Sequence, residues 1–157
     1  MKHVVHISDM KISKNPRDVL VTHSLGSCLG LAAYDPEVRV GALIHCLLPN
    51  HSGNPKAREN PYMFVSSGVP AMIRKMYDYG AEKQRIILKA AGCGRMLNIT
   101  NQFDTGEKNF STLLKLLEVN DMPLAARDVG GSRPRTVVLH LENGRVVIRS
   151  RKEESDL

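Results

Sequence analysis

The chain has no tryptophan, and only three phenylalanines and four tyrosines among its 157 residues. So few aromatics cannot build a stacking platform for bases, and the basic residues are scattered rather than interleaved with them, so nucleic-acid binding is not expected. No apolar run approaches the roughly 18–20 residues that a membrane-crossing helix needs. The opening MKHVVHISDM breaks with Ser and Asp before an apolar signal core can form. Membrane insertion is therefore not expected, and the expected compartment is the cytoplasm. Three cysteines, Cys28, Cys46 and Cys93, cannot all pair and form no C-x-x-C, which argues against a disulfide framework. The cysteines and six histidines show no zinc-ligand spacing, so no metal is expected. Neither a G-x-G-x-x-G nor a Walker-type loop is present, and no cofactor is expected.

What remains is ordinary globular material: 42% hydrophobic, 24% charged, with a formal charge of +6. The length suits one compact domain. Residues 3–7 and 19–22 read as short strands. Two apolar runs, 29–34 and 40–46, flank Asp35-Pro36-Glu37-Val38, whose Asp and Pro suit a type I turn, so they read as a hairpin. Residues 48–61, with three prolines and one histidine, read as an exposed loop. A helix follows on Val69, Met72, Ile73 and Met76, ending at Gly80. A strand at 86–90 leads into Gly92-Cys93-Gly94, and a second helix uses Phe110, Leu113, Leu114 and Leu117. Strands are expected at 124–129, 136–141 and 145–148, the last two joined at Asn143-Gly144. The fold class is therefore α/β, a single-domain sandwich with a mixed, largely antiparallel sheet and packed helices, over residues 1–150. Residues 151–157 read as a charged, disordered tail.

The segment Thr22-His23-Ser24-Leu25-Gly26-Ser27-Cys28 and the hairpin after it carry the candidate chemistry. If Tyr34 pairs with Arg39, counting back sets Gly30 opposite Leu43 and Cys28 opposite His45, on one face of the ladder. An imidazole beside a thiol can take its proton and hold an ion pair with the resulting thiolate. The amides around Gly26, Ser27 and Cys28 could receive an oxyanion, and Thr22 could orient the imidazole. A buried Cys with a neighbouring His is also a common packing arrangement. A one-residue slip would put Cys46 or Ile44 opposite Cys28 instead. Cys46 reads as core and Cys93 as unassigned. His23 and His51 are alternative bases; His3, His6 and His140 read as structural or surface residues.

THSLGSC, the apolar run into YDP, and the strand ending HCLLP together resemble the chemoreceptor glutamine deamidase CheD family. Gly80-Ala81, Lys89, Gly106-Glu107-Lys108-Asn109, Asp128-Val129-Gly130-Gly131 and Asn143-Gly144-Arg145-Val146 match in order, so the resemblance covers about residues 3–149. It implies a cysteine hydrolase that converts specific chemoreceptor glutamines to glutamates, with Cys28 as nucleophile, His45 as general base and Thr22 orienting the imidazole. It further implies a fold related to glutamine-deamidating toxin domains, the receptors' cytoplasmic helices as substrate, and the CheC phosphatase as a partner. Departures surround the triad without touching it. Leu47 stands where the family has Met, and Ala91-Gly92-Cys93-Gly94 replaces a Phe-Gly-Gly-Ala pattern. Two further readings stay open: an adaptor whose triad is idle, and a cysteine hydrolase of the same fold with another protein substrate, including a receptor methylesterase.

Overall fold

In the computed structural model, residues 1–96 and 104–157 are described. Two five-stranded sheets pack face to face. The strands are β1 (Lys2–Val4), β2 (Asp9–Ser13), β3 (Val19–Leu25), β4 (Leu29–Asp35), β5 (Val40–Cys46), β6 (Ile87–Gly92), β7 (Ala126–Val129), β8 (Arg135–His140), β9 (Val146–Ser150) and β10 (Glu153–Asp156). One sheet runs β1-β3-β8-β9-β10 and the other β2-β5-β4-β6-β7. Each contains one parallel pair, β1 with β3 and β6 with β7; the remaining pairs are antiparallel. The expected sandwich is present, with its strands divided between two sheets.

A short helix α1 (Lys56–Glu59) lies in the proline-rich loop, followed by α2 (Val65–Asp78) and, later, α3 (Thr105–Val119). The apolar stripe of α2, with Leu113 and Leu117 of α3, covers the outer face of the second sheet against Leu29, Leu31, Ala33 and Ile44. The opposite face of that sheet presents Ala32, Tyr34 and Leu43 to Leu20, Leu139, Val146 and Ile148 of the first. β4 and β5 are thus covered on both sides and buried along their whole lengths. This is why LGLAAYD and VGALIHC read as continuous apolar runs rather than alternating ones.

Three local expectations are corrected. The first strand stops at Val4; the chain turns at Ser8, with φ 61°, and enters the other sheet as β2. The hairpin pairs Asp35 with Val40 and Tyr34 with Gly41, so Gly30, not Cys28, stands opposite His45. Asp35 causes this shift. Its buried carboxylate accepts from the Glu37 and Glu82 amides at 3.0 and 2.9 Å and from Arg85 Nε at 3.0 Å, which extends β4 through Asp35. Arg39, at φ 54°, closes a turn of the same length moved one residue along the chain. A two-residue shift preserves the pleat, so Cys28 and His45 keep a common side. Finally, residues 151–157 are not a disordered tail. The chain turns at Arg151, with φ 57°, and β10 pairs along β9, held by Arg149–Glu154 at 2.9 Å and Arg145–Asp156 at 2.8 Å. Leu157 then packs against the inter-sheet core.

Candidate active site

Residues 26–28 carry the chain from β3 in one sheet to β4 in the other. A loop that must cross between layers at the end of both sheets leaves Cys28 at the rim of the inter-sheet core, with 7% of its surface exposed. Its carbonyls are all held. The Gly26 oxygen accepts from the Gly94 amide at 2.8 Å, the Ser27 oxygen from Asn109 Nδ2 at 2.9 Å, and the Cys28 oxygen from the Cys93 amide at 2.8 Å. Gly92 makes the last contact possible. Its φ is +94°, and a Cβ there would overlap the Cys28 carbonyl oxygen.

His45 belongs to β5 in the second sheet and Thr22 to β3 in the first, and they meet across the inter-sheet layer. Thr22 Oγ1 lies 2.7 Å from His45 Nδ1, and both residues are buried, at 0% and 1% exposed. The Thr22 hydroxyl donates to the Val5 carbonyl at 2.8 Å. With its proton on Val5, Oγ1 is left to accept, so Nδ1 must be the protonated nitrogen. Nε2 then keeps a bare lone pair. It is buried and has no hydrogen-bond partner among the described residues. Cys28 sits one diagonal step away, since its neighbour on the same side of β4, Gly30, faces His45 directly; such diagonal pairs lie roughly 7–8 Å apart or a little less.

Burial sets the charges. It pushes the Cys28 thiol up to about 11 and the His45 imidazole down to about 4. At neutral pH both rest uncharged, which corrects the expected preformed ion pair. The arrangement can remove a thiol proton as sulfur attacks, without storing a thiolate beforehand.

The remaining candidates separate from this centre. Cys46 is fully buried on the helix-facing side of the second sheet, as expected of a core residue. Cys93 joins the same helix-side cluster, its amide donates to the Cys28 carbonyl, and its thiol lies within electrostatic range of Cys28 and Arg135, with burial pushing it up to about 12. His23 is exposed and lies 3.4 Å from Thr136 Oγ1. His51 bonds to Ser66, and His3 to Asp18. Sequence reasoning missed Asn109, which is fully buried and donates to Ser27 and, at 3.3 Å, to the Leu47 carbonyl. A signal was available: Asn109 lies on the stripe of α3 that also carries Gly106, Leu113 and Leu117. A polar residue on an apolar stripe has a partner to satisfy. Among the described residues, no cluster of His, Cys, Asp and Glu could hold a metal ion, and no helix is long and apolar enough to cross a membrane.

Comparison with known proteins adds to this geometry. The family model described as CheD chemotactic sensory transduction matches residues 47–150, beginning just after His45. Relatives span residues 22–45 as well. The probable chemoreceptor glutamine deamidase CheD 1 of Syntrophus aciditrophicus is 40% identical over 94% of this chain and 92% of its own length. The probable chemoreceptor glutamine deamidase CheD of Solibacter usitatus is 36% identical over 98% of this chain and 92% of its own. A solved hypothetical protein, YfiH of Bacillus licheniformis, aligns with TM-score 0.46 and 13% identity over 79% of this chain and 51% of that one. Through the family match and these relatives over nearly its whole length, the chain belongs to the CheD chemotactic sensory transduction family.

Proposed function

We propose that this protein deamidates specific glutamines of chemoreceptors through a Cys28 thioester, with Cys28 as nucleophile, His45 as base and Thr22 holding the imidazole. The observation that carries the reading is the tautomer of His45: the Thr22 hydroxyl donates to Val5 and so favours the proton on Nδ1, leaving Nε2 without a partner among the described residues, on the sheet face that Cys28 shares. A base with a bare lone pair and a thiol one diagonal step away on the same face is the minimum from which acyl transfer can be assembled.

The sequence of steps follows from the resting charges. As Sγ attacks the glutamine side-chain carbonyl, the thiol proton passes to Nε2 and the carbonyl oxygen takes the negative charge. Collapse of the tetrahedral intermediate breaks the C–N bond, and the imidazolium gives its proton to the departing ammonia. The thioester then accepts water deprotonated by the same Nε2, releasing glutamate and restoring the thiol. Glutamine plus water has become glutamate plus ammonia. Apo sites of this kind often hold the base slightly long and tighten on substrate entry, which suits the diagonal placement of Cys28 and His45.

The test is incubation with a receptor cytoplasmic fragment, with Gln-to-Glu conversion followed by mass spectrometry and ammonia measured in parallel. Conversion abolished in Cys28→Ala supports the assignment; undiminished conversion in that variant overturns it. Methanol released instead of ammonia would make the same thioester chemistry a methylesterase. Receptor binding that survives Cys28→Ala, with no conversion by the native chain, would make it an adaptor. CheC binding belongs to the same family-level reading and is checked by co-sedimentation with the purified phosphatase.

A further inference from the structure

We propose that Asn109 is a positioning residue that aims the Cys28 amide at the oxyanion; this rests on the thioester reading above. Three successive carbonyls, of Gly26, Ser27 and Cys28, are each held by a donor, and Asn109 supplies the one in the middle. That one carries the most consequence. The Ser27 carbonyl and the Cys28 N–H belong to the same peptide unit, and in a trans peptide they point in opposite directions. The chain has no cis peptide. Pinning the Ser27 oxygen toward α3 therefore turns the Cys28 N–H the other way. No partner takes that N–H among the described residues. With the nucleophile's own amide and His45 Nε2 both without partners among the described residues, the centre is arranged for a reacting amide that brings the complementary groups.

The placement of Asn109 is itself overdetermined. Its two amide protons go to Ser27 at 2.9 Å and Leu47 at 3.3 Å, so one side chain ties the residue before the nucleophile to the segment just after β5, which carries the base. α3 comes close enough for this because Gly106 lies against Gly94 and Cys93, where any Cβ would overlap backbone. Burying Asn109 completely also leaves its Oδ1 without a partner among the described residues. A group kept at that cost is not serving packing alone.

The experiment compares two reactions of the same thiol in the full-length protein. Acylation by p-nitrophenyl acetate passes through an oxyanion; alkylation by iodoacetamide does not. Both are read at Cys28 by peptide mapping, for the native chain, Asn109→Asp and Asn109→Ala. Asp keeps the shape and loses the donors, and Ala guards against a variant that fails to fold, with thermal unfolding recorded for each. Acylation is expected to fall about 10- to 100-fold, in line with loss of an aligned oxyanion donor. Alkylation should stay within about 3-fold, and receptor deamidation should lose kcat by the same factor as acylation with KM unchanged. Acylation and alkylation falling together, or neither falling, would overturn the proposal. A native chain that acylates but converts no receptor glutamine would instead overturn the deamidase reading, and the ratio of the two rates would still decide the role of Asn109.

Discussion

Thr22 controls His45 through one atom. Its hydroxyl donates to Val5 and receives His45 Nδ1–H. Replacing it with valine keeps the volume but removes both bonds, leaving the Val5 oxygen and Nδ1–H buried without partners. Thr22→Val should therefore lower kcat about 10- to 100-fold, the equivalent of one or two buried hydrogen bonds, while Cys28 remains available to iodoacetamide. Steady-state kinetics on a receptor fragment checks this. Burial of the same imidazole gives the protein an acid sensitivity. Folding lowers the His45 pKa from 6.5 to about 4, so between those values the unfolded chain binds a proton that the folded chain does not. Stability is then complete above pH 6.5 and is lost as pH falls toward about 4, by about 3 kcal/mol across the window. Urea titrations at several pH values should show this slope, and His45→Asn should flatten it.

At the level of elements, the two hairpins show how distant groups decide local form. The β4–β5 turn was read from Asp35 and Pro36 alone, yet its register follows from Arg85 and Glu82, which reach Asp35 from after α2. Likewise, charge in the last residues suggested fraying. Glu154 and Asp156 instead face Arg149 on β9 and Arg145 just before it, and Lys89 Nζ on β6 donates to the Leu157 carbonyl at 2.6 Å. Leu157→Ala should therefore cost about 1 kcal/mol, a fraction of a fully buried leucine. An equilibrium denaturation midpoint equal to the native one would show the end to be frayed after all.

For the whole molecule, the sandwich gathers one set of strand ends around the loop of residues 26–28. Leu25 pairs with Arg135 and Thr136 with Arg149, so β3, β8 and β9 end together, and the Arg151-Lys152 turn falls at the same end as residues 26–28. Arg133 lies nearby, lining with Arg151 and Lys152 a hollow of about 630 Å³. The formal charge of +6 thus has part of its excess beside the site. A substrate surface that gains a glutamate at each turnover is acidic, and attraction to it is screened by salt, the Debye length falling from about 10 Å at 0.1 M to 3 Å at 1 M. KM for a receptor fragment should rise with added salt while kcat holds. Arg151→Glu with Lys152→Glu should raise KM at low salt and remove most of the salt dependence.

Most of the strands and both long helices were legible in residue order, because pleat and helical period are local, and the motifs THSLGSC and HCLLP singled out Cys28, His45 and Thr22 as candidates. The common side of Cys28 and His45 was legible too, since a two-residue error leaves parity intact. Their charge states were not: they depend on how much water the second sheet and α3 exclude, which no spacing records. Nor could the sequence place Asn109, 82 positions from Ser27, against the nucleophile loop. The sequence by itself determined which groups could react and which elements carry them. Only the tertiary structure decided the tautomer of His45, the neutrality of the pair and the direction of the Cys28 amide, because each is set by a partner from another layer of the fold.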